Sequence, residues 1–203
     1  MSNNAVLLNI PSRNADLNAL QGEWLGVASG RYRVPAPWFY MFDACDLAPS
    51  VIYFQSSRLV KAEMLNPCTS VAEAKSRLAL ASRTFESSAL EPGIVRKYWN
   101  RVISQLDSLP HPYLTIDATE ILLMTGVKES AQKFARAFGS EADAIDLVKE
   151  FSCFVEKDPN THADALDGGF FAPEYWERHS RTTEARKNWD SKLDSIPFAW
   201  KLA

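Results

Sequence analysis

His111, His162 and His179 are the only histidines of the chain, and Cys45, Cys68 and Cys153 its only cysteines. Any metal centre, imidazole base or thiolate nucleophile must be drawn from these side chains and the carboxylates near them. His162-Ala-Asp164 places an imidazole two residues from a carboxylate, a spacing that could supply a ligand pair or a base with its orienting acid. A metal site needs a fuller cluster of such donors. The stretch from Thr161 to Gly169 is polar and turn-forming, so His162 is expected at the surface, and His179 falls on the exposed face of an expected helix. The three cysteines are widely spaced, form no CxxC pair and fit no disulfide framework. They are expected to be free thiols, mostly buried among small and apolar neighbours.

Asp43 and Asp46 bracket Cys45 within an aromatic segment. Burial there would raise a carboxyl pKa and create an acid–base group, as a small hydrolase would require. The competing assignment makes both aspartates caps or edges of a short helix, left in solvent. Ser29 in Gly26-Val-Ala-Ser-Gly30 does not follow the Gly-x-Ser-x-Gly order of a nucleophile elbow. The Gly22, Gly26 and Gly30 series lacks the Lys-Ser/Thr of a phosphate-cradling loop and is expected to mark a flexible loop or close packing. No catalytic residue, metal or cofactor is nominated, and the expected mode of action is binding rather than catalysis.

The elements that would position these groups start from an aromatic core. Arg31 to Phe54 holds Tyr32, Trp38, Phe39, Tyr40, Phe42, Tyr53 and Phe54 with three prolines and neither lysine nor glutamate. It is the densest apolar block and marks the centre of packing. At 203 residues, 46% hydrophobic, the chain suits a single domain over 1–203 with a sizeable core. A net charge of −3 argues against a dedicated nucleic-acid binder. No apolar run reaches the roughly 18–20 residues that span a bilayer, and the opening residues lack the basic flank of a signal peptide, so the cytoplasm is the expected compartment.

Ala5–Ile10 is short, apolar and ended by Pro11, and reads as a strand. Asn14 or Asp16 can cap a short helix carrying Leu17, Leu20 and Trp24, ended by Gly26 and Gly30. Trp38–Cys45 is expected to form a short buried helix and Ser50–Gln55 a strand or second short helix. Ser70-Val-Ala-Glu73 is a capping box, followed by Val71, Ala74, Leu78, Ala81 and Phe85 on one helical face. A helix from Pro92 to Leu109 comes next, then a Tyr113–Asp117 strand. Asp117-Ala-Thr-Glu120 and Ser140-Glu-Ala-Asp143 are further helix starts, the latter ahead of Ile145, Val148 and Phe151, with a helix around Lys128–Phe138 between them. A final helix bears Tyr175, Trp176, Trp189 and Leu193, and Ile196–Leu202 reads as a terminal strand. The predicted architecture is α+β and mainly helical, a single domain with a small sheet and at least about twice as much helix as strand, against base rates nearer 30% and 20%.

Charge is uneven. From Glu141 to Asp167, eight acids face only Lys149 and Lys157, whereas Arg58 to Gln105 is net basic. A solvated face is one explanation. An acidic lobe beside aromatic residues also suits a basic protein partner, and on that reading Asp143, Asp146, Glu150, Asp164, Asp167, Phe171, Tyr175 and Trp176 form the partner-binding surface.

The C-terminal run DGGFFAPEYWERH, the amphipathic helix after it and the ending IPFAWKLA resemble the tail of small bacterial proteins of the YfbM-like kind. The layout of N-terminal strand, aromatic block near residue 40 and later helices is similar to immunity proteins encoded beside secreted antibacterial toxins. The likeness covers the last forty residues, with the rest matched in outline, and this chain lacks the usual YfbM-like opening. The resemblance implies stoichiometric neutralisation of a cognate toxin and supplies no catalytic residue, while charge and hydropathy set the expectation of no nucleic-acid or membrane partner. It leaves the oligomeric state open. A small hydrolase using Asp43, Asp46 or His162, and an oligomeric adaptor, are the alternatives.

Overall fold

The computed structural model describes residues 3–20, 24–55, 59–88, 100, 103, 106–124, 126–140 and 142–152. Helix exceeds strand by much less than twofold, 41% against 30%. The expectation of a mainly helical chain with a small sheet is therefore corrected: this is a mixed α+β fold built on a five-stranded antiparallel sheet. The strands are β1 (Asn4–Ile10), β2 (Leu25–Arg31), β3 (Leu47–Gln55), β4 (Leu59–Ser70) and β5 (Tyr113–Asp117), in spatial order β2-β1-β5-β4-β3. The helices are α1 (Ala36–Phe39), α2 (Val71–Ser88), α3 (Thr119–Leu122), α4 (Val127–Arg136) and α5 (Ala144–Ser152). Asn100, Ile103 and Leu106 are also helical, where the Pro92–Leu109 helix was expected. The expected C-terminal helix and the Ile196–Leu202 strand lie outside the described residues.

Two strands account for the correction. β2 stands where Gly26 and Gly30 suggested the end of a helix, and among the described residues of the expected helical stretch the helical element is a 3-10 turn, Leu17–Ala19, capped by the Asp16 side chain. LGVASGR has small side chains and no alternation, so its strand form comes from pairing with β1 rather than from propensity. Its register shifts opposite Leu7 and Leu8, as a bulge would produce, and Val27 and Ala28 are both buried. Gly30 permits close packing: a Cβ there would sit 2.6 Å from the Arg33 carbonyl oxygen. β4 does carry a period-2 signal, with Met64 buried between exposed Glu63 and Leu65, but Pro67 obscured it. Its residues Leu59–Pro67 pair with β3, and only Cys68–Ser70 pair with β5, so the β3–β4 hairpin projects past the rest of the sheet.

The aromatic block supplies the main core, as expected. Val34, Trp38, Phe39, Met41 and Phe42 pack with Leu7, Leu114, Ile116 and the buried faces of α2, α4 and α5. A second, smaller cluster of Leu8, Ile10, Ala15 and Cys68 lies under the segment that carries Leu17 and Leu20. Buried amides fasten this cover: Asn66 donates to the Ala15 carbonyl at 3.2 Å and to Thr115 Oγ1 at 3.0 Å, and Asn9 donates to the carbonyls of His111 and Tyr113, each at 2.8 Å. The same cover guards the sheet edge, because the Asn18 amide donates to the Val51 carbonyl and Pro49 offers no N–H.

The capping box at α2 forms. Glu73 N–H donates to Ser70 Oγ at 3.1 Å, and the Glu73 carboxylate accepts from Ser70 N–H at 3.2 Å. The Ser70 hydroxyl also donates to the Glu73 carboxylate at 2.8 Å, and this bond first, then the Ser70 N–H, lowers the Glu73 pKa. At the helix start expected over Asp117-Ala-Thr-Glu120 the two acids take different partners. Asp117 accepts from Thr119 N–H at 3.0 Å, while Glu120 reaches across to the Asn4 N–H at 2.7 Å. Asp143 directly precedes α5 rather than sitting inside its first turn.

Candidate functional site

Asp46 lies at the centre of the polar groups brought together by the fold. Its side chain is only 2% exposed. Oδ1 accepts from Arg13 at 3.4 Å, while Oδ2 accepts from Arg77 on α2 and from the Asp43 N–H at 3.0 Å. Arg77 also donates to Thr69 Oγ1 at 3.2 Å and to the Met41 carbonyl at 3.3 Å, and Thr69 donates on to Glu73 at 3.1 Å. The expectation that both aspartates edge a short helix is met in part. Asp43 is exposed, and it and Asp46 form a reciprocal capping box on the 3-10 turn Ala44–Asp46. Asp46, however, is buried rather than solvated, because Arg77 supplies a cation that the local sequence does not contain. With both oxygens engaged, this carboxylate ties the aromatic block to α2 and to the segment before the first 3-10 turn.

The cysteines separate by environment. Cys45 is exposed, which corrects the expectation that it is buried, because it sits on a 3-10 turn whose buried member is Asp46. Cys68 is buried. Burial pushes its thiol up to about 11, against smaller lowering by a backbone bond from Asn14 and by Arg13. Cys153 lies outside the described residues. Maleimide labelling of the native protein near neutral pH is expected to modify Cys45 rapidly and Cys68 only on unfolding, as peptide mapping would show. Rapid native modification of Cys68 would contradict its burial. Between 9.0 and about 11 the folded state holds a proton that the unfolded state releases, so this group makes stability fall as pH rises through that window.

Of the residues expected to bind a partner, Asp143, Asp146 and Glu150 share one side of α5. Asp143 is bonded to Arg136, Glu150 to Lys133 at 3.1 Å, and Asp146 lies 3.9 Å from Lys149. Lys133, on α4, also faces Glu129 at 3.7 Å, and the bond it donates to Glu150 raises its pKa. Two acids of the stretch counted from Glu141, Asp143 and Glu150, are thus paired with cations of α4 that precede it in sequence. Asp164, Asp167, Phe171, Tyr175 and Trp176 lie outside the described residues, as do His162 and His179. Among the described residues no three His, Cys, Asp or Glu side chains gather as a metal site would require, and no helix is long and apolar enough to cross a membrane.

A groove of about 420 Å³ opens between α2 and α5. Phe39, Phe42 and Phe138 contribute to its lining, with Asp43 and Arg77 also on it. Leu80 and Ile145 line it from the two helices while remaining 77% and 60% exposed. Of the apolar residues expected along this helix, Val148 is buried and Phe151 packs against Phe39 and Phe134, joined by Leu147, whereas Ile145 is left outward. Leu80 was legible as an apolar residue standing off the Val71, Ala74, Leu78 and Ala81 face of α2.

No protein-family model matches the chain, and no curated protein and no solved structure matches it.

Proposed function

We propose that this chain acts by binding another protein stoichiometrically, through the groove between α2 and α5. Neutralisation of a secreted bacterial toxin in the cytoplasm is the form suggested by its resemblance to immunity proteins. The observation that carries the reading is the pair Leu80 and Ile145, two large apolar side chains held largely in solvent on either side of a phenylalanine-lined groove. Exposed apolar side chains clustered around a preformed depression are what a partner's anchor residues fill. Asp46, the most buried carboxylate of the region, is fully engaged by Arg13, Arg77 and the Asp43 amide, which favours binding at this surface over hydrolysis.

The test is co-expression with the product of the neighbouring gene. The two proteins are expected to co-purify as a stoichiometric complex, and the chain is expected to relieve any growth arrest caused by that product alone. Unrelieved arrest, with the two proteins eluting separately, would overturn the reading.

A further inference from the structure

We infer that an internal water molecule is a fixed part of this fold, held between Asn66 on β4 and Ser50 on β3 beneath the segment Ala15–Leu17. It donates to Asn66 Oδ1 and accepts from the Ser50 hydroxyl.

The Asn66 side chain is fully buried, and its Nδ2 is committed to the Ala15 carbonyl at 3.2 Å and to Thr115 Oγ1 at 3.0 Å. Its Oδ1 is equally buried, yet no donor among the described residues reaches it. Turning the amide over gives no relief. Oδ1 would then face the Ala15 carbonyl and Thr115 Oγ1, whose hydrogen is directed to the Pro67 carbonyl at 2.7 Å, so acceptor would meet acceptor. A buried amide oxygen so placed calls for a donor that these residues do not supply.

Ser50 provides the second contact. β3 and β4 pair with Ala48 opposite Asn66 and Ser50 opposite Met64, so Ser50 is a diagonal neighbour of Asn66 on the same face of the sheet. Ser50 is buried too, and among the described residues its hydroxyl oxygen accepts one bond, from the Leu17 N–H at 3.4 Å. The hydroxyl hydrogen is left to donate. Short side chains at this diagonal spacing do not bond directly, but two bonds of about 2.8 Å through a single water join them. Asn66 fastens Ala15 and Ser50 fastens Leu17, so the water sits under the strap that both residues hold down.

The chemistry selects water. A cation would need several oxygen ligands, carboxylates among them, and the one buried carboxylate among the described residues, Asp46, is already bonded to Arg13 and Arg77. An apolar filler would leave Oδ1 without a donor. Water offers donor and acceptor on one atom, and a site with polar partners is where a buried water is retained.

The test is a crystal structure of the full chain at a resolution that places waters. It is expected to show an ordered water about 2.5–3.0 Å from both Asn66 Oδ1 and Ser50 Oγ. In solution, magnetic relaxation dispersion of the solvent counts long-lived internal waters, and Ser50→Ala is expected to lose one relative to the unaltered chain. A protein donor on Oδ1, an Oδ1 with no water against it, or a water there that does not reach Ser50 would overturn the inference. So would an unchanged count in folded Ser50→Ala. The crystallographic readout uses the unaltered chain and decides the matter whether or not the variant folds.

Discussion

Asp46→Ala is expected to lower the stability of the fold by about 3 kcal/mol, a large share of the roughly 5–15 kcal/mol that holds a domain folded. The size follows from what the substitution leaves behind. Arg13 is 56% exposed and can be solvated once its partner is gone, so its share is small. Arg77 is only 24% exposed and keeps just the Met41 carbonyl and the Thr69 hydroxyl as acceptors. Removing one member of a buried ion pair costs about 3–5 kcal/mol because the other charge stays desolvated, and the partial exposure of Arg77 places this case at the low end. The Asp43 N–H also loses its acceptor. Urea unfolding should show a lower midpoint with an unchanged slope.

Arg77→Met alone should be costly for the same reason, with Asp46 as the orphan. The pair Asp46→Leu with Arg77→Met should cost less than the two single changes added together. A loss below about 1 kcal/mol for Asp46→Ala, or additivity in the cycle, would show that the cluster is not a coupled ionic tie.

How much of this was legible in the sequence depended on whether the cause was local. The Ser70–Glu73 box, the cap at Asp16 and the strands at Ala5–Ile10 and Tyr113–Asp117 were readable because caps and apolar alternation act over a few residues. β2 was not, because a strand of small residues exists only through its neighbour β1. The burial of Asp46 was hidden for a similar reason: Arg77, which neutralises it, stands thirty-one positions away. The cations that meet the acidic stripe were hidden in the same way, since Lys133 and Arg136 of α4 pair with Glu150 and Asp143. The groove was half visible, in Leu80 off its helix face, but its other wall depended on how α5 is rotated against the phenylalanines.

Those phenylalanines set the second large effect: Phe134→Ala is expected to destabilise the chain by about 3–5 kcal/mol, the range for deleting a buried aromatic ring. Phe134 is fully buried on α4. Its ring meets Phe138 edge-on at 5.0 Å, Phe151 of α5 at 5.5 Å and Phe39 of α1 at 5.8 Å. Phe39 in turn touches Phe138 and Phe151 at 5.1 and 6.1 Å, so one ring joins the aromatic block to both later helices, and the cavity left by alanine could close only if three elements moved together. Because α5 also carries the Ile145 wall of the groove, hydrogen exchange should accelerate in Ala144–Ser152 more than in β1 or β5. Met124→Ala, at a side chain 49% exposed, should change stability by no more than about 0.5 kcal/mol and leave exchange in α5 unaltered. Equal losses for the two variants, or unchanged protection of α5 in Phe134→Ala, would mean that the phenylalanine cluster does not hold the groove in shape.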